Sequence, residues 1–192
     1  MTKIGVLALQ GAFIEHIAVL AQLEADTSEI RLPQELDGID GLIIPGGEST
    51  TITKLMISYE LAGRIAELGR DGLPVMGTCA GMIMMAGSVD GNNHLPTGIM
   101  DIAVKRNAFG RQVDSFEIDL DIPAIGTEPY HAVFIRAPKI DRAGPDVDIM
   151  ARLPDGSIVA AKQGNLIALA FHPELTEDYR LHRYFLNIVK QR

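Results

Sequence analysis

The chain holds a single cysteine, and the residues around it are arranged for chemistry. In Pro74-Val75-Met76-Gly77-Thr78-Cys79-Ala80-Gly81-Met82 an apolar run stops at Gly77, a reactive side chain follows two residues later, and another glycine stands two residues beyond it. This is the pattern of a nucleophile elbow. A residue at the tip of a sharp strand-to-helix turn is held in a strained backbone conformation and needs small neighbours on both sides. A helix starting just after Cys79 would aim free N–H groups and its positive end at the sulfur, favouring the thiolate and offering donors for an oxyanion. The competing reading is a small buried hydrophobe, the usual role of a lone cysteine in an intracellular protein.

A cysteine nucleophile needs a base, and the base needs a partner to fix its tautomer. His172-Pro173-Glu174 offers both. On an extended segment residues two apart project to the same side, so His172 and Glu174 can point together from the end of a strand. Taken singly, His172 reads as a solvated strand end and Glu174 as a first-turn helix acid. Beside Cys79 they read as a Cys-His-Glu triad. Pro45-Gly46-Gly47-Glu48-Ser49 also follows an apolar run, and its paired glycines can turn backbone N–H groups toward an oxyanion. The alternative there is an ordinary turn with a serine helix cap. Arg106, Arg111 and Arg136 could hold a substrate carboxylate, although each is otherwise a solvated surface charge. His16, His94, His131 and His182 lack a comparable glycine or acid setting and are read as structural. No Gly-Lys-Ser/Thr phosphate loop follows the glycines, and the paired cysteines of a zinc deaminase are missing, so no metal site is expected.

The elements that must carry these residues follow from periodicity. Ile4 to Leu9, Gly41 to Ile44, the run before Cys79 and Leu166 to Phe171 are continuous apolar stretches, as expected of strands covered on both faces in a parallel sheet. A shorter strand is expected around Glu29 to Leu32. Phe13, Ile17, Leu20 and Ala21 recur at helical spacing, as do Ile52, Leu55, Met56 and Tyr59 behind the caps Ser49, Thr50 and Thr51, and a further helix runs to Arg70. Met82, Met84 and Met85 are expected in the core. Between about Gly87 and Pro129 the apolar pieces shorten, with Ile99 to Val104 and Phe116 to Leu120 as partly antiparallel strands, and Val133 to Ile135, Val147 to Ala151 and Ile158 to Ala161 continue the strand-rich pattern with Asp155-Gly156 as a hairpin turn. A last helix is expected to start at a Thr176 cap and to bury Leu181, Tyr184, Phe185, Ile188 and Val189. The fold class is therefore α/β: a mostly parallel central sheet with helices on both faces and a small antiparallel strand insertion.

With 192 residues, 47% hydrophobic and 22% charged, the chain suits one well-buried domain spanning residues 1–192 and excludes a disordered one. The net charge of −8 argues against a general nucleic-acid binder. One cysteine cannot make an internal disulfide, and the first apolar run is shorter than a signal-peptide core or a membrane span. A cytoplasmic protein with small-molecule or protein partners is expected, with neither nucleic acid nor membrane among them.

Gly77-Thr78-Cys79-Ala80-Gly81 together with His172-Pro173-Glu174 resembles the triad pattern of class I glutamine amidotransferases, which have a flavodoxin-like fold. Leu9-Gln10-Gly11-Ala12 with Glu15-His16, the stretch Pro45 to Thr51, and Arg106 to Glu117 are similar to the glutaminase subunits of pyridoxal 5'-phosphate synthases, and Phe134 to Pro138 and Ala160 to Gly164 add to the match. The resemblance runs nearly end to end. It implies that Cys79 attacks the side-chain amide of L-glutamine, that His172 shuttles the proton to the departing ammonia, and that Glu174 orients His172. It further implies that Gly46, Gly47, Glu48, Ser49, Ala80, Arg106, Ile135 and Arg136 bind glutamine or its oxyanion. No cofactor is implied, and ammonia would pass to a separate synthase subunit in a hetero-oligomeric complex for vitamin B6 synthesis. The alternatives are another cysteine hydrolase of this fold, such as a γ-glutamyl hydrolase or the glutaminase of a different pathway, and a non-catalytic regulatory subunit.

Overall fold

The computed structural model describes residues 2–90, 96–109 and 115–191. In chain order the elements are β1 (Lys3–Leu7), α1 (Phe13–Gln22), β2 (Asp26–Ile30), β3 (Gly41–Ile44), α2 (Ser49–Ser58), α3 (Leu61–Arg70), β4 (Val75–Thr78), α4 (Ala80–Met85), β5 (Ala86–Val89), β6 (Met100–Lys105), β7 (Ser115–Leu120), β8 (Tyr130–Ile135), β9 (Lys139–Ala143), β10 (Asp148–Arg152), β11 (Ile158–Gln163), β12 (Leu166–Leu169) and α5 (Arg180–Lys190). The continuous apolar runs became β1, β3, β4 and β12, and all but the first residue of β1 is buried in them. They lie side by side and parallel in the order β2-β1-β3-β4-β12, which is where two-sided burial is needed. At β12 the sheet changes character and continues antiparallel through β11, β9 and β6, with β5 parallel to β6 at the edge and β10 paired to β11. Most of the shorter strands thus extend the main sheet, and β7 and β8 form a separate two-stranded ribbon.

Helices cover the sheet in two groups. Helices α1 and α5 touch through His16 and His182, whose rings lie 5.1 Å apart. Helices α2, α3 and α4 pack on one another. One contiguous aliphatic core joins both groups to the sheet. Phe185 of α5 is fully buried in it, so truncation to alanine should cost about 3–5 kcal/mol.

Four local expectations are corrected. Strand β2 runs Asp26–Ile30, earlier than the expected 29–32, because as an edge strand it needs only Ile30 inside and its polar Asp26-Thr27-Ser28 carry no apolar signal. The cap of α2 is Glu48, not a hydroxyl residue: its carboxylate accepts from Thr50 N at 3.0 Å and Thr51 N at 2.7 Å. Helix α5 starts at Arg180, because Pro173–Leu175 forms a 3-10 turn and Thr176 is extended; Asp178 Oδ1 takes the N–H of Arg180. The buried faces of α1 and α5 are also rotated from those expected. Helix α1 buries His16, Val19 and Leu20 while Ala21 is exposed, and α5 buries Leu181, His182, Phe185, Leu186 and Val189.

Candidate active site

Three neighbouring parallel strands end at one edge of the sheet, and each delivers part of the site. Ile44 of β3 pairs with Gly77 of β4, and Thr78 of β4 with Leu169 of β12, so the segments that follow emerge together. Cys79 sits at the tip of the β4–α4 turn with φ 49° and ψ −104°. Its N–H donates to Leu169 O at 2.8 Å, tying the elbow to the strand that leads to His172. The elbow can close only because Gly81 has no side chain, since a Cβ there would run into the carbonyl of Ile44.

His172 and Glu174 do meet, although not on an extended segment. Pro173 opens a 3-10 turn over Pro173–Leu175, and the curl brings Glu174 Oε1 within 2.6 Å of His172 Nδ1. Both residues are buried, Glu174 with no exposed side-chain surface. Burial alone would pull the imidazole down, but its hydrogen bonds to Cys79 and Glu174 outweigh that and push it up to about 10. With Glu174 accepting at Nδ1, Nε2 is left for Cys79 and a leaving group. Gly46 packs into the same cluster: a Cβ on it would lie 2.5 Å from His172 Cε1 and 3.2 Å from Cys79 Cβ.

These groups form one wall of a cleft of about 390 Å³. Cys79, His172, Gly47, Glu48, Ser49, Ala80, Arg106, Ile135 and Arg136 all line it, whereas Gly46 and Glu174 stand behind the surface. The Cys79 thiol faces Ile135 O at 3.9 Å. Arg106 is held by Asp90, whose carboxylate takes its Nε–H at 2.7 Å and its backbone N–H at 3.1 Å. Glu48 turns its carboxylate into the α2 cap; the hydroxyl and backbone N–H of Thr51 and the N–H of Thr50 hold it down to about 2. Its own N–H is taken by Gln10 Oε1 at 2.7 Å. Of the six non-glycine residues with positive φ among the described residues, Cys79, Asn107 and Arg136 line the cleft and Asp90 anchors Arg106. Backbone strain concentrated in this way is a mark of functional sites.

Sequence reasoning missed several participants. Gln10 and Asn107 line the cleft, and Gln10 could have been suspected from its place at the end of the first apolar run. His16 and His131 do have acid neighbours. His131 sits on the surface between Asp119 at 2.8 Å and Glu117 at 2.9 Å, while His16 is buried with Nε2 3.3 Å from Glu174 Oε2. The signal for His16 was its helical spacing with Val19 and Leu20. Arg111 and His94 lie outside the described residues. Among the described residues no three His, Cys, Asp or Glu side chains cluster so as to hold a metal ion, and no helix is long and apolar enough to cross a membrane.

Comparison with known proteins places this chain in a family. The chain is 57% identical over 184 residues to the pyridoxal 5'-phosphate synthase subunit PdxT of Pelotomaculum thermopropionicum, covering 96% of this chain and 93% of that protein. It is 55% identical over 187 residues to the subunit of the same name from Moorella thermoacetica, covering 97% and 99%. A crystal structure described as a glutamine amidotransferase superposes with a TM-score of 0.92 at 46% identity, over 97% of this chain and 98% of that one. The family model for the SNO glutamine amidotransferases matches residues 6–191, and this chain belongs to that family.

Proposed function

We propose that residues 1–192 form one glutaminase domain that hydrolyses L-glutamine and supplies ammonia to a pyridoxal 5'-phosphate synthase. The observation that carries this reading is the Cys79–His172–Glu174 cluster at the floor of an arginine-lined cleft. In the mechanism Cys79 gives its thiol proton to His172 Nε2 and its Sγ attacks the amide carbon of glutamine, and the amide oxygen takes up negative charge. The backbone N–H groups of Gly47 and Ala80, residues that line the cleft, are assigned to receive it. His172, protonated and held by Glu174, gives its proton to the nitrogen as the C–N bond breaks. Ammonia leaves and a glutamyl thioester remains. Neutral His172 then takes a proton from water, whose oxygen attacks the thioester carbon; the C–S bond breaks, glutamate leaves and the cysteine is regenerated.

Arg106 and Arg136 hold the substrate carboxylate, and the Gly46-Gly47-Glu48-Ser49 loop and the Ile135 carbonyl frame its remaining length. Glu48 acts as the cap that fixes the loop, since its carboxylate is committed to α2. The subunit naming of the relatives supports a separate synthase partner, to which this chain docks in the cytoplasm. Free ammonia is protonated in neutral water, so hydrolysis is expected to be activated by docking. The test is glutamate release from glutamine by the chain alone and with a saturating synthase subunit. Release that rises in kcat on docking and vanishes in Cys79→Ala supports the reading; release unaffected by Cys79→Ala overturns it, and a kcat equal with and without the synthase favours a free-standing hydrolase.

A further inference from the structure

Glu174 has two carboxylate oxygens, and the triad uses only one. Oε1 takes the Nδ1–H of His172, while Oε2 is buried without a well-aligned hydrogen bond. The polar group facing Oε2 is His16 Nε2 at 3.3 Å, close enough for electrostatic support though not linear. His16 is fully buried on α1. Its Nε2 is also 3.2 Å from Thr78 Oγ1, which accepts the N–H of Gly46 at 3.1 Å, and its Nδ1 is 2.9 Å from His182 Nε2 on α5. One ring therefore touches both arms of the site, the acid behind His172 and the threonine that holds the glycine loop.

The tautomer of this pair can be decided. If His182 Nε2–H donates to His16 Nδ1, then His16 Nε2–H faces the carboxylate and the threonine oxygen, and the unpartnered buried His182 Nδ1 is a lone pair. The reverse assignment would bury an unsatisfied N–H on His182 and aim a lone pair of His16 at an anionic oxygen. Burying a donor without an acceptor costs about 1–3 kcal/mol, and the lone-pair clash adds to it, so the first arrangement holds.

We propose that His16 is a positioning residue of this site: with its tautomer set by His182, it supports Glu174 from behind and thereby fixes the imidazole of His172. The activity part of this proposal rests on the glutaminase reading. The groups facing His16 are Glu174 from the 173–175 turn, Thr78 from β4 and His182 from α5, with His172 beyond. Burial, then His182 and His172, hold His16 well below its ordinary value, so it stays neutral. A neutral donor supports the carboxylate without competing with His172 as a second cation. The groups facing His172 are Cys79 and Glu174.

The test is an NMR titration of the His172 ring in the full chain, for the parent, His16→Gln and His16→Leu, alongside glutamine turnover. Glutamine carries an amide N–H close to where imidazole Nε2 stood; leucine fills the volume without a donor. In His16→Leu the His172 ring should titrate lower than in the parent by about one pH unit, and kcat should fall about 10-fold with KM unchanged. His16→Gln should restore both. A merely structural His16 would lower thermal stability in both variants and leave the His172 titration in place. A folded His16→Leu in which His172 titrates as in the parent overturns the proposal. Should His16→Leu not fold, His16→Met takes its place with the same criterion, because it too fills the volume without a donor. The titration needs no turnover, so a chain inactive on glutamine would refute the glutaminase reading while the titration still decides the role of His16.

Discussion

Among the described residues, His131 and His172 hydrogen-bond carboxylates, and their surroundings differ. His131 on β8 lies 2.8 Å from Asp119 and 2.9 Å from Glu117, with side-chain exposures of 52%, 68% and 62%. His172 lies 2.6 Å from Glu174, with exposures of 10% and 0%. Both imidazoles are raised above their ordinary value, His131 by its hydrogen bonds to Asp119 and Glu117. At the surface water and salt screen the attraction, and such pairs contribute little. In the interior the same contact is shielded from water and sits beside the Cys79 thiol. Distance alone does not make a site; burial beside a reactive group does.

The sharpest way to break this comparison is to delete each histidine. His172→Ala should lower kcat/KM for glutamine by about 10³–10⁴-fold, whereas His131→Ala should leave it within a factor of about two. A comparable loss in both variants would mean that burial is not what separates them.

The next effect is on stability. His182 is lowered to about 4 by burial, below its unfolded value near 6.5. A base with a depressed folded pKa contributes fully above about 6.5 and loses that contribution as pH falls toward 4. Of the loss over this window His182 accounts for about 3 kcal/mol and buried His16 adds to it with the same sign, seen as a falling urea midpoint between pH 7 and pH 4. His182→Gln should flatten that slope. His131, raised and exposed, works in the opposite sense: its small contribution is present at low pH and fades as pH rises, and added salt should erase it.

Glu174→Gln should lower kcat by about 10–10²-fold, less than loss of His172, because the acid orients and stabilises the imidazolium but does not move the proton. Asp119→Asn and Glu117→Gln are the matched surface controls and should have no effect on turnover. The smallest effect expected in the cleft is on binding. Arg106→Ala and Arg136→Ala should raise KM for glutamine about 10-fold with kcat nearly kept, and a fall in thermal stability at constant KM would instead mark either arginine as structural.

Much of this site could be read from residues near one another in the chain. The elbow at Cys79 shows itself because the apolar run, the nucleophile and Gly81 lie within a few positions, and the parallel half of the sheet shows itself in its unbroken apolar strands. His172 and Glu174 stand two residues apart and meet in the fold through a 3-10 turn opened by Pro173 rather than along an extended segment. What escaped depends on distant partners. His16 finds Glu174 only once α1 and the end of β12 are packed, and His182 reaches it from α5. Both histidines sit at helical spacing among apolar residues, His16 with Val19 and Leu20, His182 with Phe185 and Leu186, a pattern that tells of burial but not of the carboxylate beyond. Glu48 was expected at the substrate and its neighbours as caps. In the fold its carboxylate caps α2 and so fixes the loop lining the cleft.

The central claim is that the buried Cys79–His172–Glu174 cluster carries out covalent glutamine hydrolysis. Its most direct test is to quench the chain with acid during turnover of glutamine, with synthase present, and to map the modified residue by peptide mass spectrometry. The account predicts a glutamyl adduct on Cys79 that appears in the parent and is absent in Cys79→Ala, which releases no glutamate. Continued glutamate release by Cys79→Ala, with no adduct on Cys79 of the parent at any time during turnover, would contradict it.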